Sequence, residues 1–223
     1  MEWPSVMLER HLFNNTELAR TFYGVLGYDV VDAMERMKEN DCQSSRRDFV
    51  RSAFAAIEGW LWKYRQSIQS TIGSVRDLSP IEASAFAETS YTISDSGKLR
   101  EQVRFAPMTV MLRFITRIAE AECGEQLIDF SSADWTNFNQ AIGTRNRITH
   151  PKVVQDLTLS DEDIAVVHAG LLWLFGVVVN GSEKLNLLLV DHVQSMREIS
   201  AALSAGDSSM LALYNSVLES PKK

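Results

Sequence analysis

The segment from Arg145 to His150 holds the residue types in this chain that could do chemistry. It reads Arg-Asn-Arg-Ile-Thr-His and is followed by Pro151 and Lys152. No acidic residue occurs from Arg145 to Lys152, although the formal net charge of the chain is −7. His150 stands where a helix is expected to end, because a proline disfavours the helical conformation of the residue before it. The sequence therefore predicts a short basic segment at the end of a helix.

These side chains suit the cleavage of RNA without a metal ion. In that reaction the 2′-hydroxyl attacks the adjacent phosphorus, so a base, an acid and fixed positive charge are needed. His150 is the candidate base or acid, because imidazole titrates near neutral pH. Arg145 is the candidate phosphate ligand, because its guanidinium offers a planar fork of donors and keeps its charge. Asn146 can donate to the phosphate or orient His150, and Arg147 and Lys152 are candidate substrate contacts.

The segment from Arg145 to His150 resembles the Rx4–6H signature of the HEPN superfamily, in its common form with a polar residue after the arginine. The resemblance implies a small all-α bundle. It also implies a ribonuclease, as many members are in toxin–antitoxin, phage-defence and RNA-processing systems. The expected partners are RNA, a second copy of the chain that completes a composite site, and an antitoxin or defence-system protein. The resemblance covers about half the chain and leaves out the first forty residues and the segment 91–105.

An acidic or polar residue on an earlier helix often lies near the motif in HEPN proteins. Glu58 is the candidate here, with a predicted place beside the core stripe of a long helix. It is expected to pair with Arg145 or to tune His150, and a solvated helix flank is the alternative. Arg51 lies on the same predicted helix and is a further candidate substrate contact.

Helical periodicity predicts the elements that would position these residues. Apolar residues repeat at alternating steps of four and three along the longest predicted helix. The predicted helices cover about 46–72, a short segment from Ser79, a segment from Pro107, a segment from Ser131 or Ser132 to about Thr149, a segment from Ser160 through Val179, and the segments 183–205 and 208–218.

Two parts of the chain stand apart from these helices. The segment 91–105 contains the turn sequence Asp95-Ser96-Gly97, which favours a small hairpin or an ordered loop. The first 44 residues are predicted to be a helical extension. The whole chain, residues 1–223, is expected to form a single all-α domain.

The predicted register of the helix before Pro151 makes Arg145 unusual. The steps from Trp135 to Phe138 and Ile142 continue to Arg145, so this arginine is expected to face inward. An inward arginine needs a carboxylate, a phosphate or a solvent-filled cleft, because an unpaired buried charge is costly. A two-fold axis beside the helix end would bring both motifs of a dimer into one cleft.

The composition favours a cytoplasmic protein without a cofactor. Hydrophobic residues make up 45% of the chain and charged residues 23%, which are ordinary globular values. Cys42 and Cys123 lie far apart, which suits a reducing compartment and argues against a cysteine-based zinc site. His11 and His192 have no ligand-like spacing, so no metal is expected.

The N-terminus lacks a secretory pattern, and the apolar run 165–179 is too short for a membrane span, so no membrane partner is expected.

Two alternatives stay open at this point. Arg145 and His150 could simply cap the end of their helix by satisfying its last carbonyls. The protein could also be a non-catalytic HEPN-like helical module that binds RNA or a protein partner. His168 shares an apolar stripe with Ile164 and Leu171, so it is expected to be a core histidine rather than a catalyst.

Overall fold

The computed structural model describes residues 20–219, which form helices and one small sheet. The helices are α1 (Phe22–Glu39), α2 (Gln43–Val75), α3 (Pro80–Phe86), α4 (Met108–Cys123), α5 (Ala133–Thr149), α6 (Asp161–Ser204) and α7 (Ser208–Glu219). Strands β1 (Thr89–Ile93) and β2 (Leu99–Val103) lie between α3 and α4, and a 3-10 turn (Val154–Leu157) lies between α5 and α6. The all-α fold class predicted from the sequence is confirmed.

Helix α2 is the centre of the bundle and contacts α1, α4, α5 and α6. Its core face is the stripe that the sequence spacing predicts. The residues of that stripe, all buried, are Val50, Phe54, Ile57, Leu61, Tyr64 and Ile68. Burial of this continuous apolar face is the main stabilising term for the helix.

Three predicted helix starts are confirmed by their caps. The Ser79 hydroxyl accepts from the Glu82 N–H, and the Glu82 carboxylate accepts from the Ser79 N–H. Ser132 caps α5 through the Trp135 N–H. Ser160 caps α6 through the Asp163 N–H, with the Asp163 carboxylate accepting in return. Each cap satisfies amide groups that the first helical turn leaves without a partner.

Helix α6 is one continuous helix of 44 residues, so the prediction of two helices with a break near 180–182 is wrong. The sequence Asn180-Gly181-Ser182 has low helix propensity, yet the helix continues through it. Tertiary packing decides this, because Gly181 is buried against Tyr64 of α2. A Cβ atom at Gly181 would overlap the Tyr64 hydroxyl. Glycine therefore lets the two helices approach closely.

Among the helices of residues 20–219, α6 is long and apolar enough to cross a membrane by length and composition. This is weak evidence, because the core helix of a soluble protein meets the same criteria. The first half of α6 carries Ile164, Val167, Leu171 and Leu174 in the core of the bundle. The cytoplasmic location stays a prediction.

The hairpin predicted near 91–105 is present. Strands β1 and β2 are antiparallel, with Thr89 paired to Val103 and Ile93 paired to Leu99. Gly97 in the turn has φ +75°, a left-handed conformation that glycine adopts without strain.

Part of the predicted N-terminal extension is helical and belongs to the core. Helix α1 packs against α2, with Val30, Ala33 and Met34 buried. Residues 1–19 of that predicted extension lie outside the described residues.

Thr116 on α4 provides a test of packing. Its side chain is 1% exposed, and its hydroxyl has no hydrogen-bond partner among the described residues. A buried polar group without a partner is costly, so Thr116→Val is expected to stabilise the protein by about 1 kcal/mol in urea denaturation. Thr136→Val is the control, because the exposed Thr136 hydroxyl donates to the Ser132 carbonyl. Lower stability of Thr116→Val would contradict the prediction.

His168 on α6 is buried, as the sequence predicts, and its ring lies 6.5 Å from the ring of Phe49. Burial, aided by the charge of Lys38, lowers the pKa of His168 below its ordinary value of 6.5. The unfolded chain therefore binds a proton on His168 at a higher pH than the folded protein does. We expect the wild type to lose stability relative to His168→Asn as the pH falls below 6.5, with no such relative change above it.

Urea denaturation of both proteins between pH 8 and about pH 5 measures this difference. His192→Asn, at a partly exposed position on the same helix, is the control for the loss of a histidine as such. Parallel stability curves for the wild type and His168→Asn would contradict the expected effect of burial.

Candidate functional site

Arg145 lies in the second-last turn of α5, at the edge of the core. Its side chain is 31% exposed, so it is only partly turned to the core, and it meets a carboxylate, as was expected of an inward arginine. The buried stripe runs through Ala141, Thr144 and Ile148 instead. Helix α6 comes so close here that a Cβ atom at Gly170 would lie 3.2 Å from the Ala141 Cβ. The small side chain of Ala141 faces the core at this contact, and Arg145 lies on the neighbouring flank of α5.

The guanidinium of Arg145 is held by two side chains. One Nη donates to the Glu58 carboxylate of α2 at 2.5 Å, and the other donates to the Asn146 Oδ1 at 3.2 Å. Pairing with Arg145 is one of the two contacts expected of Glu58. The Glu58 side chain is 46% exposed. An ion pair that is so exposed contributes about 0–1 kcal/mol to stability, so breaking it costs little free energy.

Two adjoining cavities meet at this ion pair and share Glu58, Met108 and Arg145 as lining residues. The smaller has a volume of about 280 Å³ and is lined also by Phe54, Pro107, Thr109, Ile142 and Asn146. The larger has a volume of about 590 Å³ and extends between α2, the end of the hairpin and the start of α4. The pair therefore lies at an opening that can admit a ligand.

His150 is the C-cap residue of α5 and is exposed. Its backbone N–H donates to the Asn146 carbonyl at 3.0 Å. Five helical positions correspond to roughly 140° around a helix axis, so the backbone directs Arg145 and His150 to different sides of the helix end. Within the described residues, His150 lines neither of the two cavities. The structure thus brings Arg145, Asn146 and Glu58 together and leaves His150 beside them, facing solvent.

Arg147 joins α5 to α6. Its guanidinium donates to Asp163 at 2.7 Å and to the Thr158 carbonyl at 3.3 Å. Burial alone would raise the pKa of Asp163, but hydrogen bonds from Ser160 and Arg147 outweigh it and hold that pKa below its ordinary value. These contacts give Arg147 a structural role. Its predicted contact with substrate stays a prediction.

The two other candidate substrate contacts lie outside these cavities. Lys152 is exposed, and its backbone N–H donates to the Asp156 carboxylate at 2.7 Å. Arg51 is exposed and lines a separate shallow cavity with Arg36 and Asp48, near the junction of α1 and α2. The structure does not bring Arg51 to Arg145.

Four residues that line the larger cavity were not predicted from the sequence to belong to the site. Arg65 and Glu88 form an ion pair at 2.5 Å, with 15% and 12% of their side chains exposed. Trp62 and Phe105 line the same cavity. Only for Arg65 did the sequence contain a signal of a place near Glu58, because Arg65 lies one heptad after Glu58 on the long helix and shares its flank.

Within residues 20–219, no cluster of three or more His, Cys, Asp or Glu side chains could hold a metal ion. The fold and site define an all-α protein with an exposed arginine–glutamate pair between two cavities. No family model, curated protein or solved structure matches the chain. Membership of the HEPN superfamily therefore stays a prediction that rests on the segment from Arg145 to His150.

Proposed function

We propose that the protein is a metal-independent endoribonuclease of HEPN type that acts as a homodimer. The observation that carries the proposal is the guanidinium of Arg145, held by Glu58 and Asn146 at the opening of two cavities. A phosphodiester would replace Glu58 on the guanidinium and gain two parallel charge-assisted hydrogen bonds. A toxin–antitoxin or phage-defence setting, with an antitoxin or defence-system protein as a further partner, is part of the same proposal.

The reaction follows from the two side chains. The 2′-oxygen of the substrate forms a bond to phosphorus while the bond from phosphorus to the 5′-oxygen breaks. Either neutral His150 takes the 2′-hydroxyl proton while water protonates the leaving 5′-oxygen, or protonated His150 gives its proton to the 5′-oxygen while water takes the 2′-hydroxyl proton. Arg145 stabilises the negative charge that develops on the phosphate. The products are a 2′,3′-cyclic phosphate and a 5′-hydroxyl.

A second copy of the chain would complete the site by placing its own His150 beside Arg145 of the first copy. Arg145 and His150 leave α5 on different sides, so one chain alone does not direct both at a single phosphate. A two-fold axis beside the end of α5 would bring Arg145 of one protomer to the partner's His150. We therefore assign each site one Arg145 and one His150 from different protomers.

Mixing two inactive variants tests this assignment. Arg145→Ala and His150→Ala should each cleave end-labelled RNA in EDTA at about a hundredth of the wild-type rate or less. Unfolding and refolding the two variants together gives mixed dimers with one intact site. About a quarter of the wild-type activity should then return, because half of the dimers are mixed and one of their two sites is complete. No recovery would contradict a site shared between protomers.

One observation favours the alternative of a non-catalytic module that binds RNA or a protein partner. Glu58 already neutralises Arg145, which suits a structural ion pair. If the wild type does not cut RNA and both variants keep full binding to RNA or to a partner, the nuclease proposal fails and this alternative replaces it.

A further inference from the structure

The larger cavity beside Arg145 has the dimensions of a ligand site. Its volume of about 590 Å³ lies within the range of about 300–1,000 Å³ that is typical of small-molecule sites. Leu61 and Met111, both buried, contribute its apolar lining. Arg145 lines it as well, so anything bound there lies next to the proposed phosphate ligand.

Two aromatic side chains of this cavity are open to solvent. Trp62 on α2 is 43% exposed, and Phe105, between β2 and α4, is 80% exposed. The ring of Trp62 lies 6.1 Å from the ring of Phe22, and the Lys63 Nζ lies over it at 5.0 Å from the ring centre. The surface of Trp62 that these two contacts leave is open to solvent. Exposed aromatic rings at a cavity are platforms on which unpaired nucleobases stack, and single-stranded RNA is commonly bound this way.

The wall of the cavity also carries a hydrogen-bond donor, Arg65, and an acceptor, Glu88, that hold each other in place. The Glu88 carboxylate accepts from Arg65 at 2.5 Å and from the Ala106 N–H at 2.8 Å. Glu88 has φ +51°, and its carbonyl accepts from the Arg104 N–H at 2.8 Å. Glu88 thus connects the base of the hairpin to α2 through Arg65. It also holds the residues on both sides of Phe105 through the N–H groups of Arg104 and Ala106. The edge of a nucleobase carries both donors and acceptors and can use both members of the Arg65–Glu88 pair.

We propose that this cavity binds one unpaired base of single-stranded RNA, stacked on Trp62 and Phe105, while the adjacent phosphate lies on Arg145. The inference rests on the proposed function and specifies its substrate as RNA that is not base-paired at the cleaved position. It gives the hairpin a role, because the hairpin holds Phe105 at the cavity. A base inside a duplex is stacked between its neighbours and cannot enter.

Binding of a 2′-O-methyl oligonucleotide tests the proposal, because this RNA lacks the attacking hydroxyl and cannot be cut. Fluorescence anisotropy in EDTA measures its Kd with the full chain. Trp62→Ala and Phe105→Ala should each raise that Kd about 5- to 150-fold, as loss of one stacking partner does. Trp62→Phe keeps a ring and should bind nearly as the wild type does. Tyr91→Ala is the control, because Tyr91 is 54% exposed on β1 and does not line the cavity.

An abasic version of the same oligonucleotide separates the base from the phosphate. The wild type should bind it at least as weakly as Trp62→Ala binds the complete oligonucleotide, and the double variant Trp62→Ala, Phe105→Ala should distinguish the two much less than the wild type does. A complementary strand should abolish the dependence on Trp62. Wild-type affinity in Trp62→Ala and Phe105→Ala, equal affinity of the wild type for the abasic strand, or no binding at all would overturn the proposal. Binding that depends on Trp62 without cleavage of ordinary RNA would leave this site in place and remove the nuclease function.

Discussion

Replacing His150 by alanine is expected to slow the cleavage of RNA in EDTA about 10²- to 10⁴-fold, which is the usual contribution of a positioned general acid or base. Arg145→Ala should slow cleavage about 10²- to 10³-fold, because it removes charge stabilisation from the transition state. Initial rates on an end-labelled single-stranded RNA measure both effects. Both residues are partly or fully exposed, so neither loss is expected to unfold the protein.

Matched variants separate these effects from a general change of charge. His192→Ala on α6 and Arg117→Ala on α4 remove the same residue types from positions that do not line the two cavities. Both should cleave at the wild-type rate. Cleavage by His150→Ala at more than a tenth of the wild-type rate would exclude His150 as the acid or base of this reaction.

The largest expected effect on stability is that of Gly181→Ala. The added Cβ would overlap the hydroxyl of Tyr64, which is buried on α2. One of the two helices must move, and overpacking of this kind costs about 1–3 kcal/mol. Gly176→Ala on the same helix is the control, because no other side chain or neighbouring element lies within 4 Å of an added Cβ there. It should gain about 0.5–1 kcal/mol, since alanine is the better helix former.

The two glycines therefore have expected effects of opposite sign on the free energy of unfolding. Urea denaturation of the two variants and the wild type measures both. Similar stability changes in Gly181→Ala and Gly176→Ala would show that α2 and α6 are not in close contact at Tyr64.

The helices that could be predicted from the sequence are those with local signals. Ser79, Ser132 and Ser160 mark helix starts through caps that involve residues three positions away. The core stripe of α2 is likewise visible as a regular spacing. The prediction of a break near Gly181 was wrong because the helix is kept continuous there by a contact between residues that are distant in the sequence. Tyr64 and Gly181 lie far apart in the sequence, and no pattern in either helix indicates that they meet.

The candidate site was predictable only in part, for a similar reason. The pairing of Glu58 with Arg145 was expected from the motif, and the two side chains are in contact. The exposure of the Arg145 side chain was not predicted, because it depends on how closely α6 approaches Ala141. Trp62 and Phe105 come from a helix and from the end of a hairpin. They line one cavity together with the ion pair between Arg65 and Glu88, and local sequence does not reveal that these distant residues come together.

Analysis of the ends produced from RNA in EDTA tests the central claim most directly. Two oligonucleotides of the same sequence would be incubated with the wild type, one of RNA and one with 2′-deoxyribose throughout. We expect the RNA to be cut to a 2′,3′-cyclic phosphate and a 5′-hydroxyl and the deoxy strand to stay intact. Cleavage of both strands, products with a 5′-phosphate, or an intact RNA would contradict attack by the 2′-hydroxyl at a site built from Arg145 and His150.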